Sequence, residues 1–147
     1  MPPSVSSRVQ HRAMPPLPDD ITSCLARWPN RAQTAFATLR ETVLTAARHA
    51  QIGEVIETLK WGQPSWRPAK PGIGSTLRCN WHPATPDRLS LYVHCQTNLL
   101  DTMRSLYPDS SAYEGNRALL MSLSDPAPRP VVEHCALLTL TYHRKTA

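Results

Sequence analysis

Two pairs of Cys and His residues are the side chains of this chain that could do metal or nucleophilic chemistry. Cys79 and His82 are separated by two residues, and His94 directly precedes Cys95. Thiolate and imidazole groups are zinc ligands, and a Cys beside a His can be activated as a nucleophile. Both pairs, however, lie in segments where apolar and polar residues alternate, which is typical of strands whose neighbouring side chains point to opposite faces. We therefore predict no metal ligands, no catalytic residues and no cofactor, and we expect the cysteines to be small buried side chains.

A second set of polar and aromatic residues surrounds a tight bend at Gly62. This glycine follows a predicted strand and Pro64 comes two residues later, so the chain turns there in a fixed direction. His94 and Arg117 would come from neighbouring strands, on the face opposite the apolar one. A polar cluster of this kind is either a ligand cleft or a hydrogen-bonded scaffold, and the sequence leaves both open. The candidate ligand-binding residues are Lys60, Trp61, Gln63, Trp66, His94 and Arg117.

The first 18 residues differ in composition from the rest of the chain. They contain five of the 15 prolines and almost no large apolar side chain, so they cannot bury enough surface to offset the entropy of ordering. We predict a disordered, Pro-rich tail over residues 1–18 and one domain over residues 19–147. Met14 is followed by two prolines, as Met1 is, which suggests Met14 as an alternative first residue of the protein.

Four segments have the spacing of amphipathic helices. Pro29 separates the first two, Asn30 is predicted to cap the second, Gly53 to close it, and Pro108 to end the third. The helices are predicted over residues 19–28, 30–52, 97–107 and after residue 130.

Strands are predicted where the period of the apolar residues shifts to two, over residues 55–61, 65–67, 77–81, 89–95 and 118–123. The third and fourth form the clearest hairpin. The prolines around residues 65–67 indicate a short edge strand and exclude a central one. The predicted fold class is α+β, an antiparallel sheet of about five strands with two N-terminal helices, one middle helix and one C-terminal helix packed on one face.

Composition limits the classes of protein that this chain could be. Its 147 residues are 41% hydrophobic, which suits one domain, and no apolar run approaches the length of a membrane span. The start of the chain lacks the basic and apolar regions of a secretory signal, so we expect a soluble, cytoplasmic protein that contacts no membrane. The net charge of +5 favours anionic partners, but no basic stripe accompanies the tryptophans, so we do not expect nucleic acid to be the partner.

Four sequence segments together have a familiar order: ETLKWGQPSW from Glu57, then LYVHCQTNL, YEGNRAL and, near the C-terminus, LTYHR. From about Asp20 to its end, the chain resembles the YdhG-like family, small bacterial domains of unknown function. The resemblance implies a compact α+β domain with an antiparallel sheet flanked by helices, similar in general plan to frataxin. One branch of that family has been proposed as an intracellular iron chaperone.

The residues of the first two predicted helices disfavour the iron role. Frataxin-type iron handling relies on an acidic ridge of oxygen ligands, which suits a hard cation. The first helices of this chain carry three acidic residues against four arginines, and these are Asp19, Asp20 and Glu41 against Arg27, Arg31, Arg40 and Arg48.

We therefore expect a non-catalytic binding module whose polar cleft takes a small anionic or polar metabolite. Two alternatives stay open. The first is a frataxin-like iron chaperone, by resemblance alone. The second is a protein-interaction module, including a homodimer, that would use the sheet face with Trp81 and Tyr92 exposed.

Overall fold

The computed structural model describes residues 14–144. In that part of the chain, the helices are α1 (Asp19–Leu25), α2 (Asn30–Ala50), α3 (Leu99–Leu106) and α4 (Arg129–Leu140). The strands are β1 (Val55–Lys60), β2 (Gln63–Pro68), β3 (Leu77–Trp81), β4 (Arg88–Tyr92), β5 (Ala112–Glu114) and β6 (Ala118–Ser122). No helix among these is long and apolar enough to cross a membrane.

The strands form one antiparallel sheet in the order β1-β2-β3-β4-β6-β5. The predicted α+β class with four helices is confirmed, and the sheet has six strands rather than about five. The additional strand is β5, which is three residues long and too short to show a period of two.

Helix α2 spans 21 residues, and its apolar stripe packs on the sheet. Phe36 stacks on Trp66 of β2 with 5.7 Å between ring centroids, and Trp28 meets the edge of Phe36 at 6.0 Å. The predicted cap at Asn30 is wrong, because Pro29 has the extended backbone of the cap position and Asn30 is already helical. The helix ends at Ala50, and the residue that closes it is Gln51, whose φ of 54° is left-handed, and not the predicted Gly53.

Strand β2 lies inside the sheet, between β1 and β3, and not at the predicted edge. Lys60 and Gln63 flank a two-residue turn and therefore form a hydrogen-bonded pair. In an antiparallel pair every second residue bonds to its partner, so the backbone hydrogen bonds from β2 to β1 fall at residues 63, 65 and 67. The amide positions of Pro64 and Pro68 therefore face β3. The ladder between β2 and β3 is only two residues long, Ser65 with Arg78 and Trp66 with Leu77, so neither proline removes a ladder bond that the sheet needs.

The register divides the sheet into a core face and an open face. Cys79 pairs with Leu91, and Leu91 with Leu119, so these three side chains lie on the core face against the helices. Side chains alternate along each strand, so Arg78 and its partner Tyr92 lie on the opposite, open face. This open face carries the polar residues that the sequence groups together.

Three of the four cysteines, Cys24, Cys79 and Cys135, are buried as expected. Burial raises the pKa of the Cys79 thiol well above its ordinary value and that of Cys135 to about 11, so both stay protonated at neutral pH. The expectation that Cys95 is also buried is wrong. Strand β4 ends at Tyr92, so Cys95 is no longer held on the core face by strand alternation and is exposed.

The predicted tail falls mostly on residues 1–13, which lie outside the described residues. Residues 14–18 lie in no helix or strand, yet Met14 and Leu17 pack against the core. Arg40 of α2 donates a hydrogen bond to the carbonyl of Pro15 at 2.7 Å, which holds this segment against the domain.

Candidate functional site

One cleft on the open face gathers most of the polar residues that the sequence singles out. It has a volume of about 450 Å³ and lies at the end of the sheet where the β1–β2 turn, the beginning of β3 and the end of β4 meet. Residue 117 precedes β6 at the same end, because Tyr92 pairs with Ala118. The lining residues are Trp61, Gln63, Arg78, Tyr92, Val93, His94, Cys95 and Arg117.

Four of the six candidate residues line this cleft: Trp61, Gln63, His94 and Arg117. Lys60 is exposed at the end of the edge strand β1 and is not a lining residue.

The placement of Trp66 in the cleft is wrong. Its side chain is 0% exposed on the core face, where its indole nitrogen donates to Glu57 at 2.8 Å. Along β2 the odd-numbered residues, beginning with Gln63, face the cleft side, so the even-numbered Trp66 faces the helices.

The structure adds Arg78 and Tyr92 to the site. The sequence contained a signal for both. The alternation that sends Cys79 to the core sends Arg78 to the other face, and the hairpin register then sets Arg78 beside Tyr92. The carbon of the Arg78 guanidinium lies 5.2 Å from the centroid of the Tyr92 ring, within the range of a cation–π contact.

The cleft is electropositive because its lining residues include two guanidinium groups and no acidic side chain. Burial, and then the positive charge of Arg117, lower the pKa of Arg78, while Tyr92 acts in the opposite direction. The effect of Arg117 on Arg78 shows that the two charges repel each other across the cleft. Arg78 nevertheless stays protonated at neutral pH. Arg117 forms no side-chain hydrogen bond or ion pair with any other residue between 14 and 144.

Two further lining residues, Gln63 and His94, have side-chain N–H groups that form no hydrogen bond with residues 14–144. Arg78 donates to Oε1 of Gln63 at 2.5 Å, which leaves the amide NH₂ of Gln63 as the group with free hydrogens. The backbone N–H of Gln96 donates to Nδ1 of His94 at 3.1 Å, so the neutral imidazole carries its hydrogen on Nε2. A carboxylate or phosphate is the type of group that such a set of donors and guanidinium charges binds.

Trp61 forms the rim of the cleft in an uncommon conformation. Its φ is 58° and that of Gly62 is 74°, which are the signs of a type I′ hairpin turn. Asn, Asp and Gly are the usual residues at the first position of this turn, and a bulky aromatic residue there is disfavoured. The Trp61 side chain is nevertheless 80% exposed, so it gains little packing in return.

Replacing Trp61 by Asn should stabilise the protein by about 1 kcal/mol, because Asn tolerates the left-handed backbone better than Trp. Urea denaturation followed by circular dichroism would measure the change. Trp61→Phe, which keeps an aromatic side chain on the same backbone, is the matched control and should leave stability near that of the wild type. A Trp61→Asn variant less stable than the wild type would mean that the indole packs against the domain.

The fold also bears on the metal hypothesis and on the protein-interaction hypothesis. Between residues 14 and 144, no three His, Cys, Asp or Glu side chains are grouped so that they could hold a metal ion. Trp81 packs against the core and donates its indole N–H to the carbonyl of Pro86, whereas Tyr92 lies on the open face. The two aromatic residues on which the interaction hypothesis relies are therefore only partly exposed, and they lie on opposite faces of the sheet.

No family model, curated protein or solved structure matches this chain. The geometry of the cleft is therefore the observation on which a function has to rest.

Proposed function

We propose that this protein is a non-catalytic binding module whose cleft holds a small anionic metabolite. The observation that carries the proposal is the pair of guanidinium groups, Arg78 and Arg117, that line one cleft in which no Asp or Glu is a lining residue. The ligand contributes a carboxylate or a phosphate group, and Gln63 and His94 donate the further hydrogen bonds.

The repulsion between the two arginines supports a role in binding rather than in folding. Two like charges in one cleft destabilise the free protein, and the positive charge of Arg117 is, after burial, the second cause of the lowered pKa of Arg78. An anion placed between them reverses the sign of the interaction. The guanidinium of Arg117 has no described protein partner that would account for its position, so a ligand is the simplest group to complete it.

Arg117→Gln should weaken binding of inorganic phosphate and of acetate by about 10- to 100-fold, the usual effect of removing one charged hydrogen-bonding partner. Calorimetric titration of the full chain at low ionic strength would measure the affinities, and Arg78→Gln should behave similarly. Arg67→Gln removes the same charge from an exposed position on β2 outside the cleft and is the matched control.

Equal losses in Arg117→Gln and Arg67→Gln would contradict a specific site, since they would show that only the net charge of the protein attracts the anion. The Tm of the free Arg117→Gln protein gives a second readout. It should equal or slightly exceed that of the wild type, because the substitution removes repulsion. A strong loss of stability would instead assign Arg117 to the fold.

We also propose membership of the YdhG-like family, on the four segments that resemble it. The frataxin-like iron role within that family gains no support from the acids of α1 and α2. Asp20 accepts hydrogen bonds from the Thr58 hydroxyl and the Leu59 amide, and Glu41 pairs with Arg129 at 3.2 Å. These carboxylates are engaged by the protein and do not converge on one position.

A further inference from the structure

We infer that the ligand of this cleft carries its anionic group on a planar ring, and that Trp61 is the surface on which the ring stacks. The inference rests on the proposed anion site and adds the chemical class of the ligand, an aromatic or heteroaromatic acid. It comes from the position and conformation of Trp61, which the anion site alone leaves unexplained.

Trp61 differs from the other tryptophans of the domain. Trp28 and Trp66 are buried in the core, and Trp81 packs against it with its indole N–H bonded to the Pro86 carbonyl. Trp61 is 80% exposed, and no hydrogen bond of its indole N–H to residues 14–144 is found. An indole that stays in water contributes nothing to the core, so the fold does not explain why this residue is Trp.

The backbone of Trp61 points to the same conclusion. A left-handed conformation in a bulky residue is strained, and strain that persists on the rim of a cleft is a reason to look for function there. The two-residue turn is also rigid, because the β1–β2 pairing continues directly up to Lys60 and Gln63. The backbone of Trp61 is therefore placed beside the cleft by a fixed turn and not by a flexible loop.

The lining of the cleft is divided in a way that suits such a ligand. The guanidinium groups of Arg78 and Arg117 provide the charge, while Trp61 and Tyr92 provide aromatic surface in the same cleft. A small anion without a ring would contact the arginines and leave the aromatic surface exposed to solvent. A ring that carries one carboxylate or phosphate would use both parts, and stacking of a planar ring on an aromatic side chain adds to affinity without requiring a particular ring.

The test compares benzoate with cyclohexanecarboxylate, which have the same charge and a similar size but differ in whether the ring is planar and aromatic. We expect the wild-type full chain to bind benzoate about tenfold more tightly in calorimetric titrations. The preference should persist in Trp61→Phe and disappear in Trp61→Asn. In proton–nitrogen NMR spectra, the indole signal that Trp61→Asn removes should be the one that benzoate shifts most.

The outcomes separate this inference from the proposed function. Equal affinities for the two acids in the wild type, both weakened by Arg117→Gln, would overturn the stacking role and leave the anion site intact. A benzoate preference that survives in Trp61→Asn would also overturn it, since the ring would then contact other residues. Failure of acetate, inorganic phosphate and both ring acids to bind would overturn the anion site and the inference together. The affinity for phenyl phosphate should depend on Trp61 as the affinity for benzoate does. If only one of the two affinities depends on Trp61, the anionic group of the ligand is the one carried by that compound.

Discussion

Glu57→Gln should destabilise the protein by about 3–5 kcal/mol, the largest effect that we expect from a single polar substitution in the domain. Glu57 and Arg40 form an ion pair whose side chains are 8% and 9% exposed. The two N···O distances, 2.7 and 2.8 Å, make the contact bidentate. The same carboxylate accepts the indole hydrogen of Trp66, and Arg40 also donates to the carbonyl of Pro15.

The amide that replaces the Glu57 carboxylate would keep an acceptor for Trp66 but present an NH₂ group to the guanidinium of Arg40. The cost arises because the positive charge of Arg40 stays buried without its counter-ion. One buried network joins α2, β1, β2 and the segment that precedes α1, so the loss should affect the whole domain. Chemical denaturation followed by circular dichroism would give the free energy of unfolding.

Two comparisons make this prediction specific. Glu41→Gln breaks the exposed pair with Arg129 and should change stability by less than about 0.5 kcal/mol. Adding Arg40→Met to Glu57→Gln removes the unpaired charge and should restore at least half of the loss. If Glu57→Gln cost no more than Glu41→Gln, the buried pair would not stabilise this fold in the way described.

Gly74→Ala should destabilise the protein by about 3 kcal/mol, because the new methyl group has no space. A Cβ at this position would lie 1.9 Å from the carbonyl oxygen of Leu140, at the end of α4. The chain on both sides of Gly74 is bonded to the same region of α4. The Ser75 amide donates to the Thr139 carbonyl and the His143 amide to the Ile73 carbonyl, each at 2.9 Å. The clash is with backbone, so a rotamer change cannot relieve it.

Gly72→Ala is the matched control in the same loop. Gly72 has a φ of 82°, but nothing lies within 4 Å of a Cβ built there. Its substitution should cost about 1 kcal/mol, the strain of Ala in a left-handed conformation. Thermal unfolding of both variants would check that Gly74→Ala is the more destabilising of the two substitutions. Equal losses would contradict the close approach at Gly74 and leave only a general sensitivity of the loop.

Much of the fold could be predicted from the sequence because local periodicity carries it. The apolar stripe of α2 and the alternation in β3 and β4 are repeated over enough residues to identify these elements. Strand β5 could not be found in this way because it has only three residues and is defined by its pairing with β6. The inner position of β2 was also hidden, since its prolines are tolerated only because the ladder to β3 is short.

The sequence by itself determined that the chain bends tightly at Gly62 and that polar residues share strands with core residues. Only the tertiary structure decided which of them meet. It excluded Trp66, which lies on the core face, and brought Arg78 of β3 and Arg117 of the β5–β6 turn to one cleft. The physical reason is that side chains alternate along a strand, so a residue's face depends on register, and register is set by pairing between segments far apart in the chain.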